Sequence, residues 1–386
     1  MSHRLSLYAP EPGSPDLPAT CGPGVFIRAL AGLLDSHDPP LNLNLQWSAT
    51  ADSGAAGPRR GDRGNGRGLT RLLRDGSSCL LFVYPFVPGL RRTEMPAVQA
   101  AANRVYRLLR LKSWLLQRRM IVVITELPLE LAAGRAVSGG DSPKLDSDRI
   151  RELESLLFRS AYRLWAPEGL AESIRRQHGV DAARIRTFRR NPYLPRSEKE
   201  AARPLDFDAG TVNFFYSGSI DTHVAPNFRE VLRSIRNAPT TRLHVCGPDR
   251  DAVREWLAEL DVPNVRHHGL LRIPEHDWLA QRCDVGLIVY PTDDPYNHLR
   301  PTMKYSAYLA NGLAVLSTDI RCVADNIRQD GVGQALPVRE LALELMRWAT
   351  RPALWRQRRE AAREHSGAVR AGAELKSCIA ELTESR

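Results

Sequence analysis

The chain has 386 residues, 43% hydrophobic and 25% charged, with a formal net charge of +10. Those figures describe a globular protein of two domains and exclude a disordered or fibrous chain. No apolar run approaches the roughly 18–20 residues of a membrane-spanning helix. No secretory leader follows the basic start. The six cysteines are scattered without C-x-x-C or Cys/His spacing, which excludes the common zinc modules and suggests free thiols in a reducing cytosol. The positive balance either marks anionic partners or reflects a surface built largely from arginine.

Strands and helices alternate along the chain. Residues 4–9 (RLSLYA) alternate as a first strand. A Pro- and Gly-rich loop containing Thr20, Cys21, Gly22 and Gly24 leads into an apolar-periodic helix over residues 24–34. A second strand is predicted over 41–47, then a Gly, Ala and Arg insertion over 49–68. No aromatic residue interleaves its arginines as nucleic-acid stacking needs. Residues 78–86 read as a third strand.

A long basic helix spans about residues 94–119. Over residues 91–119 there are eight Lys/Arg and one acid, so the net charge is 8 − 1 = +7. With Arg104, Arg107, Arg110 and Lys112 it has two readings. It can lie on an anionic bilayer, or bury its apolar stripe in the domain and leave its charges solvated. Residues 120–125 (MIVVIT) form a buried strand with Glu126 at its carboxyl end. Glu126 stands where a general base would stand; capping or pairing with a loop is its structural alternative. A helix (149–159), a strand (162–166), the helix opened by Pro167-Glu168-Gly169, and a strand (184–188) complete this half. Residues 189–204, with three prolines, form the interdomain linker.

The carboxyl half opens with VNFFY (212–216) and Ser217-Gly218-Ser219, a strand and turn in which Gly218 lets backbone approach a phosphate. Strands over 242–246 and 265–268 follow, the second ending in Gly269-Leu270. Helices are predicted over 253–260 and 274–281. The most informative stretch is residues 284–319: a buried strand, a polar loop with Tyr296, Asn297 and Arg300, a helix opened by Lys304, an Asn311-Gly312 stop, and another buried strand. Residues 320–336 read as loop and short helix. Three charged helices end the chain.

Residues 287–316 resemble the donor segment of GT-B glycosyltransferases. The resemblance is closest to the branch in which a Lys, as in PTMKYSAYLANGLAV, opens the helix; bacterial polysaccharide glucuronosyl- and glucosyltransferases are of that kind. The two Glu of the commoner retaining branch are absent: Leu299 and Ala307 stand near their places. The "Y-x-G-x" turn at Gly218 strengthens the match. The resemblance implies an α/β, GT-B architecture: an acceptor-binding Rossmann-like domain (1–190), a nucleotide-sugar domain (205–350), and terminal helices (351–386) crossing back to the first domain, with Trp348 and Trp355 as anchors.

It implies transfer of a sugar from a nucleotide diphosphate-sugar, UDP-linked, to a glycan or lipid-linked acceptor in envelope or exopolysaccharide assembly. Gly218, Ser219, Gly269, Leu270, Tyr296, Asn297, Arg300 and Lys304 would bind the donor. Lys304 would also stabilise the leaving diphosphate, and Glu126 would take the acceptor proton. No cofactor, metal or nucleic acid is expected, and the location is cytoplasmic, at the inner membrane face if the basic helix docks. Two alternatives stand: a sugar-nucleotide epimerase of the same fold, and a non-catalytic nucleotide or nucleic-acid binding protein.

Overall fold

The computed structural model describes residues 4–10, 22–37, 42–48, 72–85, 96–116, 119–137, 147–194, 207, 210–220, 224–248, 255–256, 258–259, 262–370 and 372–384. Thr20, Cys21, the insertion over 49–68, residues 195–204 of the linker and half of the helix expected over 253–260 lie outside them.

In the amino half, β1 (Arg4–Pro10), β2 (Asn42–Ser48), β3 (Cys79–Tyr84), β4 (Arg119–Ile124), β5 (Arg163–Pro167) and β6 (Ile185–Phe188) form one sheet. All pairings are parallel, in the order β2-β1-β3-β4-β5-β6. Parallel sheets bury both faces, which is why their strands read as unbroken apolar runs. Side-chain alternation divides β3 between two cores. Leu80, Phe82 and Tyr84 pack with α2 (Pro96–Leu115), α3 (Pro128–Val137), α4 (Ser147–Ser160) and α5 (Glu168–His178). Leu81 and Val83 face α1 (Gly22–Asp35).

Helix α2 buries Ala102, Tyr106 and Leu109 toward this sheet. Lys112, expected to present its charge outward, instead donates from Nζ to the carbonyls of Leu73 (2.6 Å) and Asp75 (3.2 Å).

The carboxyl half repeats the plan with β7 (Val212–Ser217), β8 (Thr241–Cys246), β9 (Val265–His267), β10 (Val285–Ile288), β11 (Ala314–Thr318) and β12 (Gly333–Leu336). Their order is β12-β11-β10-β7-β8-β9, again all parallel. In sequence terms this is 3-2-1-4-5-6, the doubly wound order whose switch point lies between β7 and β10. Ligands of such sheets sit outside the carboxyl ends of the strands at that point. The flanking helices are α6 (Ala225–Arg236), α7 (Ile273–Arg282), α8 (Met303–Ala310), α9 (Arg321–Asp330), α10 (Val338–Thr350) and α11 (Ala353–Arg370).

The final helix, α12 (Ala373–Glu384), returns to the amino half. Leu375, Cys378, Ile379 and Leu382 enter the core beneath α1, each leucine or isoleucine burial contributing about 1.5–3 kcal/mol. Glu381 pairs with Arg163 and Arg186 at the edge. Trp348 and Trp355 do not anchor this crossing. Both pack in the core of the carboxyl domain, because their helices cover its own sheet.

The linker crosses beside α12. The backbone N–H groups of Arg189 and Arg190 donate to Glu374 Oε2 at 2.5 and 3.1 Å. Arg190 also pairs with Asp330 (3.1 Å), Asn191 Nδ2 donates to Pro301 O (3.2 Å), and Tyr193 donates to buried Asp277 (2.6 Å).

Two elements differ from the sequence reading. Residues 320–336, expected as loop and helix, contain the edge strand β12; four residues without a β-branched side chain carry little strand signal. Helix α3 was not expected, and Gly134 in its interior weakens helical propensity. Its packing role is described below.

Candidate functional site

The carboxyl ends of β7 and β10 meet at the switch point, and Lys304 stands over them. Thr302 caps α8: its hydroxyl accepts from the Lys304 N–H at 3.3 Å, which fixes the start of the helix. The Lys304 side chain then folds back over the turn after β7. Gly218 takes φ +143°, which a residue with a Cβ rarely adopts, and its bare Cα leaves room for Lys304, whose Cε and Nζ would lie 2.7 and 2.8 Å from a Cβ there.

Lys304 Nζ donates to the Tyr290 hydroxyl at 2.8 Å. It lies 4.2 Å from the Tyr290 ring centre and 5.2 Å from that of Tyr216. Among the described residues no carboxylate pairs with it. A half-buried ammonium satisfied by one phenol and two ring faces keeps uncompensated positive charge. Burial disfavours the cation, but the neighbouring phenols reverse the effect and leave the Lys304 pKa raised. For the Tyr290 phenol, burial pushes upward, while Lys304 and Arg300 pull it down to about 8.

The three turns beyond β7, β8 and β9 are joined edge to edge. Gly218 N–H donates to Cys246 O (2.8 Å) and Gly247 N–H to Gly269 O (3.0 Å). The Ser219 carbonyl accepts from the Tyr216 hydroxyl at 3.0 Å. Its N–H, next in the turn, has no partner among the described residues. Gly269 takes φ +70°, and Leu270 beside it is half exposed. Gly218, Ser219 and Lys304 are thus brought together, with Gly269 and Leu270 two strands away along the same edge.

The other expected residues point elsewhere. Tyr296 is buried in the amino-domain core, and its hydroxyl accepts from Leu127 N–H at 2.8 Å. Asn297 is buried too, and its Nδ2 donates to Pro291 O within the loop (3.1 Å). Both side chains serve the loop's seat rather than its open side. Arg300 crosses the domain interface to Glu126, Nη1 to Oε1 3.0 Å, and lies 5.3 Å from the Tyr296 ring centre. Burial opposes the guanidinium charge, but Glu126 holds the Arg300 pKa raised. Glu126, expected as a base at the cleft, is therefore engaged in an ion pair.

Glycines on the amino domain admit this loop. A Cβ on Gly134 of α3 would lie 2.0 Å from Asp294 Oδ1, and one on Gly169 of α5 would lie 2.1 Å from Leu299 O. Gly134 thus gives up helix stability for close approach between domains. Sequence reasoning missed Tyr290 and Tyr216 as site residues because both sit within apolar runs. The available signal was an aromatic at the carboxyl end of each of two strands, Tyr290 directly before a proline. Among the described residues, no three His, Cys, Asp or Glu side chains form a group able to hold a metal ion.

No protein-family model matches the sequence, and no curated protein matches it. Solved structures do match. The chain superposes on sucrose-phosphate synthase of Thermosynechococcus elongatus with TM-score 0.66 and 14% identity, covering 98% of each chain. It superposes on WaaG, a glycosyltransferase involved in lipopolysaccharide biosynthesis, with TM-score 0.59 and 13% identity over 99% of this chain and 100% of that one. A putative UDP-N-acetylglucosamine 2-epimerase from Listeria monocytogenes matches with TM-score 0.61 and 10% identity, over 100% and 98%. At such identities the likeness establishes the fold, which is GT-B.

Proposed function

We propose that this GT-B chain is a glycosyltransferase that moves a sugar from a nucleotide diphosphate-sugar, UDP-linked, to an acceptor hydroxyl. The observation that carries this reading is the Lys304 ammonium, half-buried over the Gly218 turn with no carboxylate among the described residues to pair it. A fixed cation beside a glycine turn at a sheet's switch point is suited to a diphosphate.

In the transfer, the acceptor oxygen bonds to the anomeric carbon as the bond from that carbon to the diphosphate oxygen breaks. Negative charge grows on the departing diphosphate. Lys304 and the Ser219 N–H stabilise it where it develops. Arg300 has a second role in this scheme. It is held by Glu126 in the free protein, and turning to the diphosphate would release Glu126 to take the acceptor proton. The Gly269–Leu270 turn supplies a backbone edge and an apolar wall for the base.

The resemblance around PTMKYSAYLANGLAV further supports hexosyl or uronosyl transfer in envelope or exopolysaccharide assembly, with a glycan or lipid-linked acceptor. The neighbouring glycosyltransferase of lipopolysaccharide biosynthesis accords with that setting.

The test is release of nucleoside diphosphate from a panel of nucleotide sugars, with and without candidate acceptors. Release lost in Lys304→Ala and partly kept in Lys304→Arg supports the reading. Epimerisation at C2 without release would make the protein an epimerase. No thermal shift with any nucleotide sugar would sink both enzymes.

A further inference from the structure

We propose that the outward face of α2 docks the protein on an anionic lipid bilayer. Spacing along the helix sorts its exposed residues into two ridges. Arg104, Leu108, Leu111 and Leu115, at i, i+4, i+7 and i+11, form one; Arg107, Arg110 and Trp114, at i, i+3 and i+7, form the other. The first lies opposite the buried ridge of Ala102, Tyr106 and Leu109, and the second lies on its flank. Leu108, Leu111, Trp114 and Leu115 are 55, 52, 74 and 63% exposed, and Leu116 just past the helix is 59% exposed. These are five of the nine large hydrophobic residues found exposed in the described chain, gathered in nine positions. Scattered single apolar residues need no explanation, but a contiguous cluster marks an interaction surface.

The charges name the partner. Arg104 and Arg110 are exposed. Among the described residues Arg107 meets Glu152, in an ion pair 67 and 49% exposed, which is worth little in water. Three residues beyond Leu116, Arg119 lies over Tyr162, itself 40% exposed. Leucines beside Arg, with Trp and Tyr at the margin, suit the zone where acyl chains meet anionic head groups. Arg stems reach along apolar surface while the heads stay wet. A second copy packed symmetrically on this face would set arginines against arginines. Lys112 takes no part, since backbone carbonyls hold its ammonium. Among the described residues no helix is long and apolar enough to cross a membrane, so contact through this helix would be at the surface. This inference stands whether or not the transfer reaction does.

The experiment is co-flotation of the full chain with phosphatidylcholine vesicles, alone or with phosphatidylglycerol added. We expect binding to the anionic vesicles only, weakened by salt. Replacing Arg104, Arg107 and Arg110 together by Gln should weaken it by on the order of 100-fold. Replacing Leu108, Leu111 and Leu115 by Ser should weaken it by about tenfold or more, with unchanged circular dichroism showing that the fold persists. Absence of binding, or equal binding by the arginine variant, overturns the proposal. So does a dimer that the leucine variant dissolves without any vesicle binding.

Discussion

Two parts of one loop, a few residues apart, treat polar groups in opposite ways. From Asp294 to Leu299 the loop faces the amino domain. Asp294 Oδ1 accepts from Tyr296 N–H, the Tyr296 hydroxyl accepts from Leu127 N–H, and Leu299 fills the space left by Gly169. From Arg300 to Lys304 the loop keeps two cations near the switch point, one with a carboxylate across the interface and one without. The first part has its polar groups satisfied and so acts as a seat. The second keeps charge in reserve and so can bind. The seat gives the cations their precision, since a binding group is only as well placed as the backbone beneath it.

The comparison breaks most sharply at Lys304. Lys304→Ala should lower turnover by about 100- to 1,000-fold, as loss of one donor to a developing anion does, without lowering the unfolding midpoint. A seat-like role would show the reverse, a fall in midpoint with turnover per folded molecule preserved. Tyr296→Phe addresses the other part. It leaves the buried Leu127 N–H without its acceptor and should cost about 1–3 kcal/mol in urea unfolding. Unchanged stability would mean that the seat holds without this bond.

Between about pH 8 and 10 the loop's pH dependence should come from the open part. The Tyr290 phenol, drawn down to about 8, lies below the value of about 10 expected when unfolded. The folded protein therefore releases this proton first, and the contribution of Tyr290 to stability should rise between about pH 8 and 10. Nucleoside diphosphate affinity should fall over the same range, because the phenolate competes for Lys304 and repels the ligand. A calorimetric titration across that range reads both arms, and Tyr290→Phe should flatten it; an unaltered slope would remove Tyr290 from the site. The smallest effect is expected at Glu126→Gln. The side chains of its ion pair are only 17 and 24% exposed, but Gln keeps an oxygen that accepts from Arg300, so the stability change should be about 1 kcal/mol. Acceptor transfer should drop while donor hydrolysis persists. Equal loss of both would make Glu126 a seat residue.

Much of this architecture is legible in the chain. β7 and β10 announce themselves as unbroken apolar runs, and Gly218 and Lys304 stand at strand and helix ends where the doubly wound plan puts ligands. The division of the loop is not legible. Tyr296 and Asn297 look like site residues because a polar residue near a cleft and one packed into an interface have the same local sequence. For Tyr296 the difference is contact with Leu127, 169 positions away, and Arg300 meets Glu126 across 174. Trp348 and Trp355 were misassigned for the same reason: a large side chain announces burial, not against which domain. Gly134 reads as a weakness in a helix until the Asp294 carboxylate is found against it.

The two crossings between domains, at Arg189–Tyr193 and at the start of α12, run side by side and share Glu374. Two crossings set side by side would confine any relative motion of the domains to rotation about one axis. On the carboxyl side Arg189, Arg190, Asn191 and Tyr193 are all bonded in, to Asn326, Asp330, Pro301 and Asp277, so any flexing bonds of this crossing would lie before Arg189. The seat around Tyr296 would then act as the stop of that rotation: opening the cleft requires withdrawing one tyrosine from the amino-domain core.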